Sequence, residues 1–97
     1  MRDIILAPSF DREFLEISAY LDTNFGTTVA DKFEQRFQSF ANTLAHSPAI
    51  GTTSHGYPTG LYAFVLYPCW LFYRFNDAEL IFLHIRDGRM NKDTQVF

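Results

Sequence analysis

The chain has 97 residues, 47% of them hydrophobic and 18% aromatic, with eleven Phe. That composition builds a packed core and excludes a disordered chain, and the length predicts one domain, residues 1–97, around a single core. A formal net charge of −3 and a pI of about 5.4 exclude the basic excess that a tight, sequence-independent grip on a phosphate backbone requires.

Residues 3 to 7, DIILA, are rich in Ile and Leu and stopped by Pro8, which predicts a first strand. Ser9 is placed as a helix N-cap, with Asp11 and Glu13 in the first turn, where carboxylates favour the helix dipole. Phe10, Phe14, Ile17, Leu21 and Phe25 then recur at spacings of four, three, four and four, one apolar helical stripe. Glu13, Glu16 and Asp22 fall on the solvated face of that helix, and Gly26 ends it. Thr27 or Thr28 restarts the chain, and Thr28 with Asp31 is like a capping box. Val29, Phe33, Phe37, Phe40 and Leu44 form a second stripe, closed by HSP at 46 to 48. Two amphipathic helices joined by one or two residues fold back as a hairpin.

Residues 47 to 60, SPAIGTTSHGYPTG, hold three of the five Gly and two of the four Pro, and read as a loop. LYAFVL, CWLFYRF and ELIFLHIR follow, broken at YP and at NDA; such short links predict three antiparallel neighbours. No Asp, Glu, Lys or Arg lies between Arg36 and Arg74. The most apolar part of that gap, residues 61 to 73, contains a proline and is shorter than the roughly 20 residues of a membrane span, so it predicts buried sheet. The order is β-α-α-β-β-β, an α+β class in which a helical hairpin packs on one face of an antiparallel sheet.

Pairing Phe75 with Glu79 across a three-residue loop places Trp70, Phe72, Arg74, Leu80, Phe82, His84 and Arg86 on one face. The other face, with Cys69, Leu71, Tyr73, Phe75, Glu79, Ile81, Leu83 and Ile85, is more aliphatic and is assigned to the helices. Trp70, Phe72, Leu80 and Phe82 then look toward water, a patch of the kind that marks a binding surface. Its cover is either the C-terminal NKDTQVF, through Val96 and Phe97, or a partner chain. Cys69 reads as a small apolar filler with no internal disulfide partner, and no signal peptide is visible; a reducing cytoplasm follows. His46 and His55 have no Cys or carboxylate near them, so neither a metal site nor any other cofactor is expected.

Three stretches in order carry a family resemblance. They are FLEISAYLDTNFG with Ala30 and Phe33 after it, LAHSPAIG at 44 to 51 with its SP-x-x-G, and the phasing from Gly60 to FYRFNDAELIFLHIRDGR. Over nearly the whole chain this resembles the RelE/ParE superfamily of toxins from bacterial toxin–antitoxin modules. The resemblance implies one of two activities. RelE-like members are ribosome-dependent mRNA endonucleases that use Lys, Arg, Glu, His or Tyr on the sheet, whereas ParE-like members lack that set and inhibit DNA gyrase. Here no lysine lies between Lys32 and Lys92, and Tyr62 stands two after Gly60, where the family often has Arg. The chain also ends without the His-Tyr pair of some nucleases. With the acidic pI, these features favour the ParE-like branch. Where that branch often ends in a His-Gly-Arg-Arg-like stretch, this chain has Asp87 to Met90, which keeps Arg89 and puts Met90 at the second arginine.

The resemblance therefore implies a protein-binding inhibitor rather than a catalyst: a type II toxin acting on DNA gyrase and held inactive in a hetero-oligomer by a ParD-like or similar antitoxin. The expected partner-binding residues are Trp70, Phe72, Arg74, Phe82, Arg86 and Arg89, with acids of the antitoxin meeting Arg74 or Arg89. One alternative is a RelE-like endonuclease with Arg74, His84 and Arg86 handling the phosphate. The other is a non-toxic, complex-forming member, to which Tyr62 and Met90 point.

Overall fold

The computed structural model describes residues 1–53 and 56–87. Strand β1 (Asp3–Leu6) stops before Pro8, which opens helix α1 (Pro8–Phe25) at a position where its missing N–H costs nothing. The helix thus starts from Ala7, and Ser9 is not its cap. Gly26 alone joins α1 to helix α2 (Thr27–His46), with φ at +95°, a conformation that residues with a Cβ avoid. α2 begins at Thr27, one of the two expected restarts, whose hydroxyl donates to Asp22 Oδ1 at 2.7 Å; the Thr28–Asp31 capping box is not used.

β1 and α1 run on in one direction. α2 brings the chain back, and its Ala45 carbonyl accepts the Arg2 N–H at 3.3 Å. From there β2 (Tyr62–Leu66), β3 (Cys69–Phe75) and β4 (Glu79–Asp87) form the expected meander, and β4 ends up running the same way as β1. The strand order is β1-β4-β3-β2. β1 pairs parallel to β4, from Asp3 opposite Glu79 to Leu6 opposite Phe82, so the sheet is mixed. Among the described residues no helix is long and apolar enough to cross a membrane.

The β3–β4 turn sets a register one residue away from the expected one. Asn76 Oδ1 accepts the N–H groups of Ala78 and Glu79 at 2.9 and 2.7 Å, and Asn76 N–H donates to Glu79 O at 2.9 Å. This side-chain-closed turn puts Phe75 opposite Leu80. A one-residue slip exchanges the faces of a strand, so Leu80 and Phe82 point into the helix side and are fully buried there. The expectation that they look toward water is corrected. A β-bulge then resets the phase: Tyr73 faces Phe82 but Phe72 faces His84. Beyond it, Ile85 packs against the helices, while His84 and Arg86 stand beside Phe72 and Trp70 on the outer side as expected.

The main core lies between hairpin and sheet. Phe10 sits at its centre, its ring 5.3 Å from both Phe37 and Phe82 and 5.9 Å from Phe14, spacings at which tilted and offset rings attract. A smaller cluster lies on the outer side, where Leu61, Ala63 and Phe72 are buried with Tyr57, Trp70 and Leu83 against them. Phe72 therefore does not face water either: loop residues cover it, with the Tyr57 ring edge-on at 5.7 Å. The expected covering segment, with Val96 and Phe97, lies outside the described residues. Buried Tyr73 pins the loop before β2, donating to Pro48 O at 2.5 Å and accepting the Gly51 N–H at 3.1 Å. Its burial pushes the phenol up to about 12.

Candidate functional site

β1 pairs with β4 only as far as Phe82, which leaves the next residues of β4 without a strand on the edge away from β3. Unpaired edge groups are a liability unless covered, and α1 covers them with side chains. Ser9 Oγ donates to Leu83 O at 2.7 Å, and Glu13 accepts the Ile85 N–H at 3.3 Å. Four helical residues rise about 6 Å and two strand residues about 6.6 Å. A helix lying along a strand can therefore serve alternate edge groups with every fourth side chain.

Glu13 gathers more than that amide. His84 Nδ1 lies 3.1 Å from one carboxylate oxygen and Arg86 Nε 3.2 Å from the other. The Glu13 side chain is 14% exposed, so its assignment to a solvated helix face is corrected. The buried Arg86 Nε–H finds no hydrogen-bond acceptor, so the attraction to Glu13 there is one of charge. Arg86 Nη2 also lies 3.2 Å from His84 Nδ1. That nitrogen either donates to the carboxylate or accepts from the guanidinium, and cannot do both. The cluster holds one acid and one permanent cation, and together they tie α1 to β4.

One helical step beyond Glu13 the matching residue is Ile17, which has no polar group to offer, and a groove of about 540 Å³ opens between α1 and the β2–β3 hairpin. Its floor is Ile17, Leu21 and Cys69; Tyr20 and Phe25 border it on the helix side. On the sheet side stand Val65, Tyr67, Pro68 and Trp70, with Glu16 and Asp87 at the rim. Phe25 is 60% exposed and Tyr67 77%, large apolar groups that folding leaves in water. The Tyr20 and Phe25 rings meet edge-on at 6.3 Å. A second hollow, between α1, α2 and β1, carries Asp11, Glu34, Gln38 and Asn42 and is the more polar of the two.

The residues singled out from the sequence do not form one site. Trp70 is half-buried and walls the groove. Phe72 and Phe82 are core residues on opposite sides of the sheet. Arg74 is exposed, opposite Ile81, with no hydrogen bond or ion pair among the described residues. It stands three residues along β4 from His84, roughly 10 Å, so Arg74, His84 and Arg86 do not converge. Arg89 lies outside the described residues. Among the described residues no three His, Cys, Asp or Glu side chains gather as metal ligands. The sequence reading missed Tyr20, Val65 and Tyr67; the available signal was that Tyr67 precedes Pro68 at a hairpin tip, where side chains reach water.

A solved structure from the chromosomal ParDE TA system of P. aeruginosa shares this fold. Its TM-score is 0.73 at 16% identity, over 90% of this chain and 96% of that one. In sequence, Toxin ParE3 of Caulobacter vibrioides is 31% identical over 86 residues, 89% of this chain and 82% of that protein. A family model described as ParE toxin of type II toxin-antitoxin system, parDE, matches residues 4–92. The chain belongs to the ParE toxin family of type II toxin–antitoxin systems.

Proposed function

We propose that the chain is a cytoplasmic toxin subunit that binds and inhibits DNA gyrase, and that a ParD-like antitoxin neutralises it by filling the groove between α1 and the β2–β3 hairpin. The observation that supports this is the exposure of Tyr20, Phe25, Val65 and Tyr67 around one apolar hollow. Aromatic side chains seated at a concave apolar surface are the usual anchors of protein–protein recognition. Trp70 contributes from the groove wall, and the exposed Arg74, with Arg89, supplies charged contacts to the partners. Arg86 acts indirectly, through Glu13 and the placement of α1.

Binding is favoured over bond cleavage by the same geometry. An RNA cutter needs its acid, base and phosphate-neutralising groups around one phosphate. Here the Arg86 charge is matched by Glu13, and Arg74 stands apart from His84. In a supercoiling assay the purified chain is expected to stop gyrase. Addition of the protein encoded by the adjoining short open reading frame is expected to restore it. Cleavage of mRNA in the A site of translating ribosomes by the purified chain overturns this reading.

A further inference from the structure

The carboxylate that closes the fold also bridges the two walls of the groove. Glu13 lies one helical step before Ile17 on the α1 side, about 6 Å along the axis. Arg86, whose Nε is 3.2 Å from Glu13, belongs to the sheet side. It faces Trp70 across the β3–β4 pair and is followed by Asp87, and both of those residues line the groove. The ends of the Glu13–Arg86 contact are thus anchored on opposite sides of one hollow. Both side chains are half-buried, so salt screens their attraction less than at an open surface. Farther along α1, Ile17 and Leu21 offer apolar side chains, whose attraction has no preferred direction.

We infer that Glu13, acting through Arg86, is a positioning residue that sets how far α1 stands from the sheet at the head of the groove. It thereby sets the affinity for the antitoxin without touching the antitoxin. The inference rests on the groove being the antitoxin site. Ser9 and Glu13 then differ in kind. Both serve the open edge of β4, but Ser9 lies one turn farther from the groove and gives Leu83 a hydrogen bond alone. The charge of Glu13 reaches the opposite wall as well. A partner packs densely only against walls held at one spacing. A helix released from that contact loses complementarity, and the loss shows in dissociation more than in encounter.

The test measures binding of the full chain to the antitoxin from the adjoining reading frame, beside urea unfolding of each variant. Glu13→Gln keeps an acceptor for the Ile85 amide and removes the charge. It is expected to weaken binding roughly 5- to 10-fold, mainly through faster dissociation. Arg86→Gln is expected to match it. The double variant is expected to bind no worse than either single one, since the same contact is lost in all three. Ser9→Ala is expected to lower stability and to leave affinity within about 2-fold. Unchanged affinities in Glu13→Gln and Arg86→Gln overturn the inference, and so do losses that multiply in the double variant. A loss in Arg86→Gln without one in Glu13→Gln also overturns it, because Arg86 then meets the antitoxin directly. Val65→Asp separates the inference from the reading beneath it. If it leaves binding intact, the groove is not the antitoxin site; if it weakens binding while the Glu13 and Arg86 variants bind normally, the positioning role alone fails.

Discussion

Along its first turns α1 offers β4 a hydroxyl and a carboxylate; along its last turns it offers water two aromatic rings. Ser9 and Glu13 fill the place of a missing strand, whereas Tyr20 and Phe25 look across a gap at Val65 and Tyr67. One helix thus divides its labour by position. The polar half closes the fold and the aromatic half leaves exposed the apolar surface proposed above to meet a partner. What distinguishes the halves is the match between helical and strand repeats, which supplies polar groups at Ser9 and Glu13 and an isoleucine at the next step.

The contrast breaks most visibly at Phe10. This fully buried ring anchors the first half, and Phe10→Ala is expected to cost about 3–5 kcal/mol in urea unfolding. A loss under about 1 kcal/mol would mean that the first half is not the foundation of the core. Tyr73 tests whether another polar closure behaves alike. Its folded phenol titrates at about 12 and the free phenol at 10.0, so between those values the folded protein holds a proton that the unfolded chain has lost. Stability is therefore complete below pH 10 and falls by about 1.4 kcal/mol per pH unit as pH rises toward 12. Tyr73→Phe is expected to remove that slope, seen in unfolding followed across the window. A methyl on Gly51 would overlap the same hydroxyl, so Gly51→Ala is expected to cost about 1–3 kcal/mol.

Glu13→Ala leaves the Ile85 amide and the Arg86 guanidinium without their carboxylate and is expected to cost about 1–2 kcal/mol, with faster hydrogen exchange at Ile85. Glu13→Gln keeps an acceptor for the amide and should recover part of the loss. Unaltered exchange at Ile85 in both variants would remove the idea of a side-chain-closed edge. The smallest effect is expected in the aromatic half. Tyr20→Ala and Phe25→Ala should shift stability by less than about 0.5 kcal/mol while weakening capture of the antitoxin. A large loss of stability there would erase the difference between the halves.

The helices and strands were legible because their signals are local. The stripes name the buried helix faces from Phe10 to Leu21 and from Phe33 to Leu44, while Phe25 and Val29, also placed on them, are exposed; Pro8, Gly26 and Pro48 mark the breaks. The register was not legible. It depends on one oxygen of Asn76 accepting two amides, and on a bulge that repairs the phase for His84 and Arg86 but not for Phe82. Glu13 was misjudged for a related reason. Helical periodicity places it outward, and only the bare edge of β4 alongside turns it into a half-buried acceptor. The groove was hidden for the same cause: Tyr20 and Tyr67 are distant in sequence and line one groove only because the fold sets α1 beside the β2–β3 hairpin.

Because β1 lies beside β4, β1 leaves the ribosome long before its partner strand does. Residues 3 to 6 find residues 79 to 82 only when β4 has been made and has cleared the exit tunnel. Such remote pairing is slow to form. The groove, which is lined by residues of α1, the β2–β3 hairpin and the end of β4, is thus assembled only after β4 has emerged. Until that pairing forms, the chain presents no finished groove to any partner.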